Sequence, residues 1–245
     1  MTTIDLNADL GEGFGAWELT DDAALLEVVT SANVACGFHA GDPMRLRWVL
    51  GLAEVRGVAV GAQVSYRDLA GFGRRFLDAS YDELVGDVLY QAGALQGLCA
   101  GLDLDVSYVK PHGALYHACS THPLQGKAVA DAASALGLPV LAASGSPFLL
   151  QSHGVAEAFV DRAYHDDGTL VSRSLPGAVI EDVALVCDRA LELATEGTVS
   201  SVSGAQVSVP ARSLCLHGDT PGAAAMAAAV RSALEGAGVT VASFT

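Results

Sequence analysis

From end to end the sequence cycles through three kinds of stretch: a short apolar run, a cluster rich in Gly and polar residues, and an Ala/Leu-rich segment with helical spacing. Strands joined through helices pair in parallel, so this alternation predicts βα units around a parallel sheet. The apolar runs fall near 3–8, 33–36, 58–62, 106–109, 138–142, 156–160, 213–216 and 239–243. Several helix starts are legible between them. Ser80 with Glu83 makes a capping box, with Leu84, Val88, Leu95 and Cys99 following at near-helical spacing. Asp42–Pro43 and Thr220–Pro221 each pair an N-cap with Pro at the first helical position.

A parallel sheet of this kind is either open or closed. The polar clusters decide between the two, because they follow at least five of the apolar runs, where strand C-termini belong. Six adjacent strands of an open sheet would spread those ends over about 24 Å. A closed barrel gathers them on one rim. The expected fold is therefore α/β: an irregular (β/α) barrel of seven or eight strands, with residues 1–245 forming a single domain.

Charge narrows the partners. Thirteen basic against 28 acidic residues give a net charge of −15, which repels phosphate backbones and anionic headgroups, so neither nucleic acid nor membrane is expected. There is no signal-like leader and no bilayer-length apolar run, and the five cysteines are scattered without CxxC spacing. Both features predict a cytoplasmic enzyme with reduced thiols. An anionic substrate would need local positive charge, and the only lysines are Lys110 and Lys127.

The polar clusters supply the candidate chemistry. In Asp5-Leu-Asn-Ala-Asp-Leu-Gly-Glu-Gly13, strand alternation puts Asp5, Asn7 and Asp9 on one face, inward in a barrel, with Glu12 just beyond. A hydrogen-bonded polar layer and a catalytic role are equally open for each of them. His39 sits between Gly37 and Gly41, past a strand end, while Asp42 is expected to cap a helix. The Gly-punctuated loop from Gly61 to Arg75 carries Arg67, Arg74 and Arg75; bidentate anion binding and surface ion pairing are both open for it. Lys110 leaves a strand just before His112, offering a fixed charge beside a group that moves protons near neutrality. Arg173 and His217 follow two later strand-like runs, and Asp219 is read as a helix cap. His117 and His122 are expected on the surface, and His153 and His165 are given no role. A loose GxGxxA match at 11–16 lacks the acidic residue that a dinucleotide fold needs after the next strand. No Walker A sequence, HExxH, GxSxG or CxxC occurs.

The blocks DLNADLGEG, SANVACGFHAGDP, GFGRR, YVKPHGALY, DRAY..DGTLVSRS and CLHGD run through the whole chain in order, and together they resemble the LamB/YcsF family. The resemblance implies an irregular barrel like that of glycoside hydrolases and deacetylases. It also implies an ATP-dependent 5-oxoprolinase that opens the lactam 5-oxoproline to glutamate together with partner subunits B and C. ATP is then a co-substrate held mainly by the partners, with no metal expected on this chain. On that implication Asp9, Glu12, His39 and His112 are the candidate catalytic groups. Asn7, Arg74, Arg75, Lys110, Arg173 and His217 are the candidate substrate contacts. One departure stands out: the family pattern G-A-H-P-S is Gly61-Ala-Gln-Val-Ser65 here, and Gln63 neither titrates nor ligates metals well. Two other readings follow. One is a metal-dependent deacetylase or amidase with Asp9, His39 and His112 as ligands. The other is a non-catalytic binding protein in which Gln63 has ended turnover.

Overall fold

A computed structural model describes residues 2–152, 154–218 and 222–245. In chain order its elements are β1 (Thr3–Leu10), α1 (Asp22–Leu26), β2 (Ser31–Ala35), α2 (Pro43–Arg56), β3 (Ala59–Val64), α3 (Tyr81–Leu98), β4 (Val106–Pro111), α4 (Gly113–Thr121) and α5 (Pro123–Ala135). They continue with β5 (Leu141–Ala143), α6 (Pro147–Ser152), β6 (Val155–Phe159), α7 (Val183–Glu196), β7 (Thr198–Ser200), β8 (Gln206–Ser208), β9 (Ser213–Leu216), α8 (Ala223–Gly236) and β10 (Thr240–Val241). All eight apolar runs are strands, though the bounds shift by a few residues.

Seven parallel strands form the barrel in the order β4-β3-β2-β1-β9-β6-β5. The two ends of this path meet, because the Val109 N–H donates to Pro139 O at 2.9 Å and Val109 bridges Val140 in parallel. β10 adds to the start of β1 outside the ring, pairing at Thr3 and Ile4. The expected irregular barrel is thus a nearly closed seven-stranded one. The antiparallel β7–β8 hairpin was not foreseen, since two three-residue strands leave almost no period to read.

The helix caps follow from local chemistry. Asp42 accepts the N–H groups of Met44 and Arg45, with Pro43 first in α2. Ser80 and Glu83 form the full capping box of α3. Thr220–Pro221, read as a helix start, lies outside the described residues, as do His153 and Asp219. α8 begins at Ala223.

β1 shows why the sheet closes. Ile4, Leu6, Ala8 and Leu10 alternate outward into the helix layer, where Val49 and Leu50 of α2, Leu84, Val88 and Leu95 of α3, and Val230 and Leu234 of α8 are buried. Each fully buried Leu or Val adds about 1.5–3 kcal/mol. Inside the barrel the packing is polar and tightly bonded. Asp5 accepts from Thr30, Ser31 and Ser213; Asn33 donates to Asn7 and Asp9; Tyr108 donates to Asn33 at 2.7 Å. The Tyr108 ring occupies space that a Cβ on Gly61 would invade, at 2.1 Å from the nearest ring atom. This polar column leads along the axis to the C-terminal rim.

Candidate active site

Above the strand C-termini lies a cavity of about 730 Å³. Seven of the ten site residues expected from sequence line it: Asp9, Glu12, Arg74, Lys110, His112, Arg173 and His217. The other three do not. Asn7 lies deeper, donating to Ser213 at 2.6 Å and accepting from Asn33. His39 is fully buried behind His112. Arg75 is bound to Asp68 at the loop's outer end, and Arg67 pairs with Asp87, so ion pairing accounts for these two arginines. His117 and His122 are exposed, as expected for surface residues, and so is His165, which was given no role; all three border the mouth of the cavity.

Lys110 is 3% exposed, and its ammonium reaches Asn7 Oδ1 at 3.1 Å, Glu157 Oε2 at 2.9 Å and Cys215 Sγ at 3.2 Å. All three of its N–H donors are therefore engaged within the barrel, and what it offers the cavity is charge. Burial opposes that charge, but Cys215 and the carboxylates of Glu157 and Asp9 outweigh it and hold the Lys110 pKa well above the ordinary lysine value. Burial likewise opposes the charge on Asp9. Lys110, His217 and the Asn33 hydrogen bond prevail and keep its pKa below the usual carboxylate range.

His39 and His112 stack at 4.1 Å between ring centroids. Burial pushes the His39 pKa down to about 4. Burial, then the neighbouring His39, Arg74 and Lys110, push His112 well below the ordinary value, so both rings are neutral at pH 7. Glu12 Oε1 stands 3.7 Å from His39 Nε2 and 3.5 Å from His112 Nε2. Phe72 caps the pair edge-on, at 5.8 Å from His39 and 5.3 Å from His112, and carries the Arg74 guanidinium on its face. It does so in the left-handed region at φ 54°, a conformation that costs a non-Gly residue free energy and persists only where its surroundings fix it.

Among the described residues, Glu12, His39 and His112 are the group whose donor atoms lie close enough together for a metal ion, within 4.8 Å of one another. Glu12 takes the place expected for Asp9, which is committed to Asn33 and Lys110. The Gln63 side-chain amide lies 3.0 Å from His39 Nε2, while Nδ1 of both His39 and His112 is buried without a hydrogen-bond partner.

Asp161 and Glu157 are buried carboxylates that sequence reasoning left out of the site. Glu157 anchors Lys110, and Asp161 accepts from both the backbone N–H and the ring Nδ1 of His217. Asp161 heads one of the conspicuous polar clusters, so position was a signal; its partner lies 56 residues away, and that was not.

A (β/α) barrel whose carboxylates, arginines and a neutral histidine converge on its C-terminal rim belongs to the class of barrel proteins that carry their site at that rim. Within that class the chain belongs to the LamB/YcsF family, whose model matches residues 4–245. It is 55% identical to the A subunit of 5-oxoprolinase from Mycobacterium avium (strain 104), with all of both chains covered. It superposes on the crystal structure of a lactam utilization protein from Thermus thermophilus with a TM-score of 0.94 and 42% identity, over 99% of this chain and 100% of that one. A family 4 carbohydrate esterase from Streptomyces lividans shares the fold at a TM-score of 0.54 and 12% identity, covering 100% of this chain and 93% of the esterase.

Proposed function

We propose that the chain, as one barrel domain, is the lactam-opening component of an ATP-dependent 5-oxoprolinase and works in the cytoplasm with partner subunits B and C. The observation that carries this reading is the rim cavity, where two carboxylates and a neutral histidine face arginines across a space large enough for a small lactam carboxylate. The names of the relatives point the same way. No helix among the described residues is long and apolar enough to cross a membrane.

The chemistry follows from the lactam. An unstrained five-membered amide is a poor electrophile, so phosphoryl transfer from ATP to its oxygen, carried out mainly by the partners, activates the carbonyl carbon. Arg74 and Arg173 then supply positive charge for the substrate carboxylate and the transferred phosphate. Lys110 sets a positive field beneath them without giving up its internal hydrogen bonds. Asp9 is tied to Lys110 and His39 is enclosed, so Glu12 and His112 form the corner that orients water and accepts its proton. No metal enters this scheme.

Glutamate release from 5-oxoproline plus ATP tests the reading, first with the chain alone and then with B and C. Release only with all three components is the expected result. ATP-independent release by the chain alone would refute it in favour of a simple amidase. No release from the complete set, with a Gln63→His variant restoring it, would show that this copy has lost the chemistry at position 63.

A further inference from the structure

We propose that Asp161 and His217 form a dyad that delivers the proton to the departing lactam nitrogen, with Asp161 as the positioning residue and His217 as the group that touches substrate; this rests on the lactam-opening reading above. Asp161 is 2% exposed and does not line the cavity, whereas His217 does. The carboxylate holds the ring from two directions. Its Oδ1 and Oδ2 each lie 2.9 Å from Nδ1, and Oδ2 also accepts the His217 backbone N–H at 3.0 Å. The Phe159 ring stacks on the imidazole at 5.4 Å and 14°, fixing its plane. A carboxylate only accepts from a ring N–H, so Nδ1 bears hydrogen in either protonation state and Nε2 is the nitrogen that exchanges protons with a ligand.

Ring opening needs such a donor, because amide nitrogen is expelled poorly as an anion. Water loses one proton to the Glu12–His112 corner as the new C–O bond forms. The Nε2 proton of His217 passes to the ring nitrogen as the C–N bond of the O-phosphorylated adduct breaks, leaving an acyl phosphate and an amine. A second water then hydrolyses the acyl phosphate to carboxylate and inorganic phosphate, and solvent returns the displaced proton to Nε2. Nothing is oxidised or reduced. The charged and titratable groups acting on the ring are Asp161 on its Nδ1 side, and Asp9 and His112 from β1 and the end of β4. Arg173 lies close enough to Asp161 to help hold it ionised: burial opposes the charge there, and His217 and Arg173 together outweigh it.

The test joins kinetics to ring chemistry. In the complex with B and C, Asp161→Asn should lower kcat by roughly 10²–10⁴-fold while KM changes by less than about threefold. Asp161→Asn combined with His217→Gln should be no slower than His217→Gln alone, because Asp161 acts through the ring. On the isolated chain, ¹⁵N spectra of labelled histidine should show His217 with hydrogen on Nδ1, and should show it transferred to Nε2 in Asp161→Asn. Thermal denaturation of each variant confirms folding, and Asp161→Glu substitutes if the Asn variant fails to fold. An unchanged kcat, additive losses in the double variant, or hydrogen on Nε2 in the wild-type ring would each overturn the dyad. A wild-type complex that releases no glutamate would instead overturn the functional reading, and the ring spectrum would still decide the tautomer.

Discussion

Gly61 shows how much one side chain's absence sets in this barrel. A methyl group there would sit between 2.1 and 2.4 Å from three atoms of the Tyr108 ring, which is fully buried and cannot retreat. Gly61→Ala is therefore expected to cost about 1–3 kcal/mol through overpacking, seen as a lower urea midpoint with an unchanged slope. A midpoint equal to wild type would mean that the Tyr108 ring has room to move. Lys110 makes a related point. The sequence marks it as one of two lysines at a strand end, yet its three donors are spent on Asn7, Glu157 and Cys215. No local pattern could reveal this, because the partners come from β1, β6 and β9.

At the scale of elements, the segment from Ser65 to Phe76 decides how the site is enclosed. Asp68 organises it, accepting the Gly71 N–H at 3.0 Å, the Arg75 N–H at 3.3 Å and Arg75 Nε at 2.9 Å. Gly73 then passes so close to Ser65, His39 and His112 that a Cβ would meet all three within 3.1 Å. Asp68→Ala should remove about 1–2 kcal/mol of local stability and speed protease cleavage in this loop roughly tenfold, with little change in the global unfolding midpoint. The site's affinity for anions should weaken with it, since Arg74 is carried on the same segment. Equal cleavage rates in variant and wild type would show that the loop is held from elsewhere. The length and glycines of this loop were legible in the sequence. Its two outer arginines, by contrast, turned out to be structural.

For the molecule as a whole, the buried histidines tie folding to pH. His39 has a pKa of about 4 in the fold against 6.5 in the free state, so between those values the unfolded chain binds a proton that the folded chain refuses. Stability from this group is fully present above 6.5, falls by about 1.4 kcal/mol per pH unit below it, and levels off near 4, a total of about 3 kcal/mol. His112 acts in the same direction. Denaturant titrations at pH 7 and pH 5 should show the loss, and His39→Gln should reduce it to the part that His112 contributes. A stability profile level from pH 7 to 5 would contradict the buried neutral pair.

Much of this molecule is written in short-range chemistry: the βα repetition, the strand positions, the caps at Asp42 and Ser80, and the inward face of β1. Each of these rests on periods and hydrogen bonds spanning only a few residues. The same patterns marked seven of the ten expected site residues that reach the cavity, because in a barrel a polar residue just after an apolar run lands on the one functional rim. Which charges are spent inside the barrel and which face the cavity was settled only by the folded arrangement of the strands. That arrangement joined Asp161 to His217, put Glu12 and not Asp9 between the two histidines, and set Gln63 against His39. Those outcomes depend on distances of a few ångströms between strands far apart in the chain, and residue spacing does not encode them.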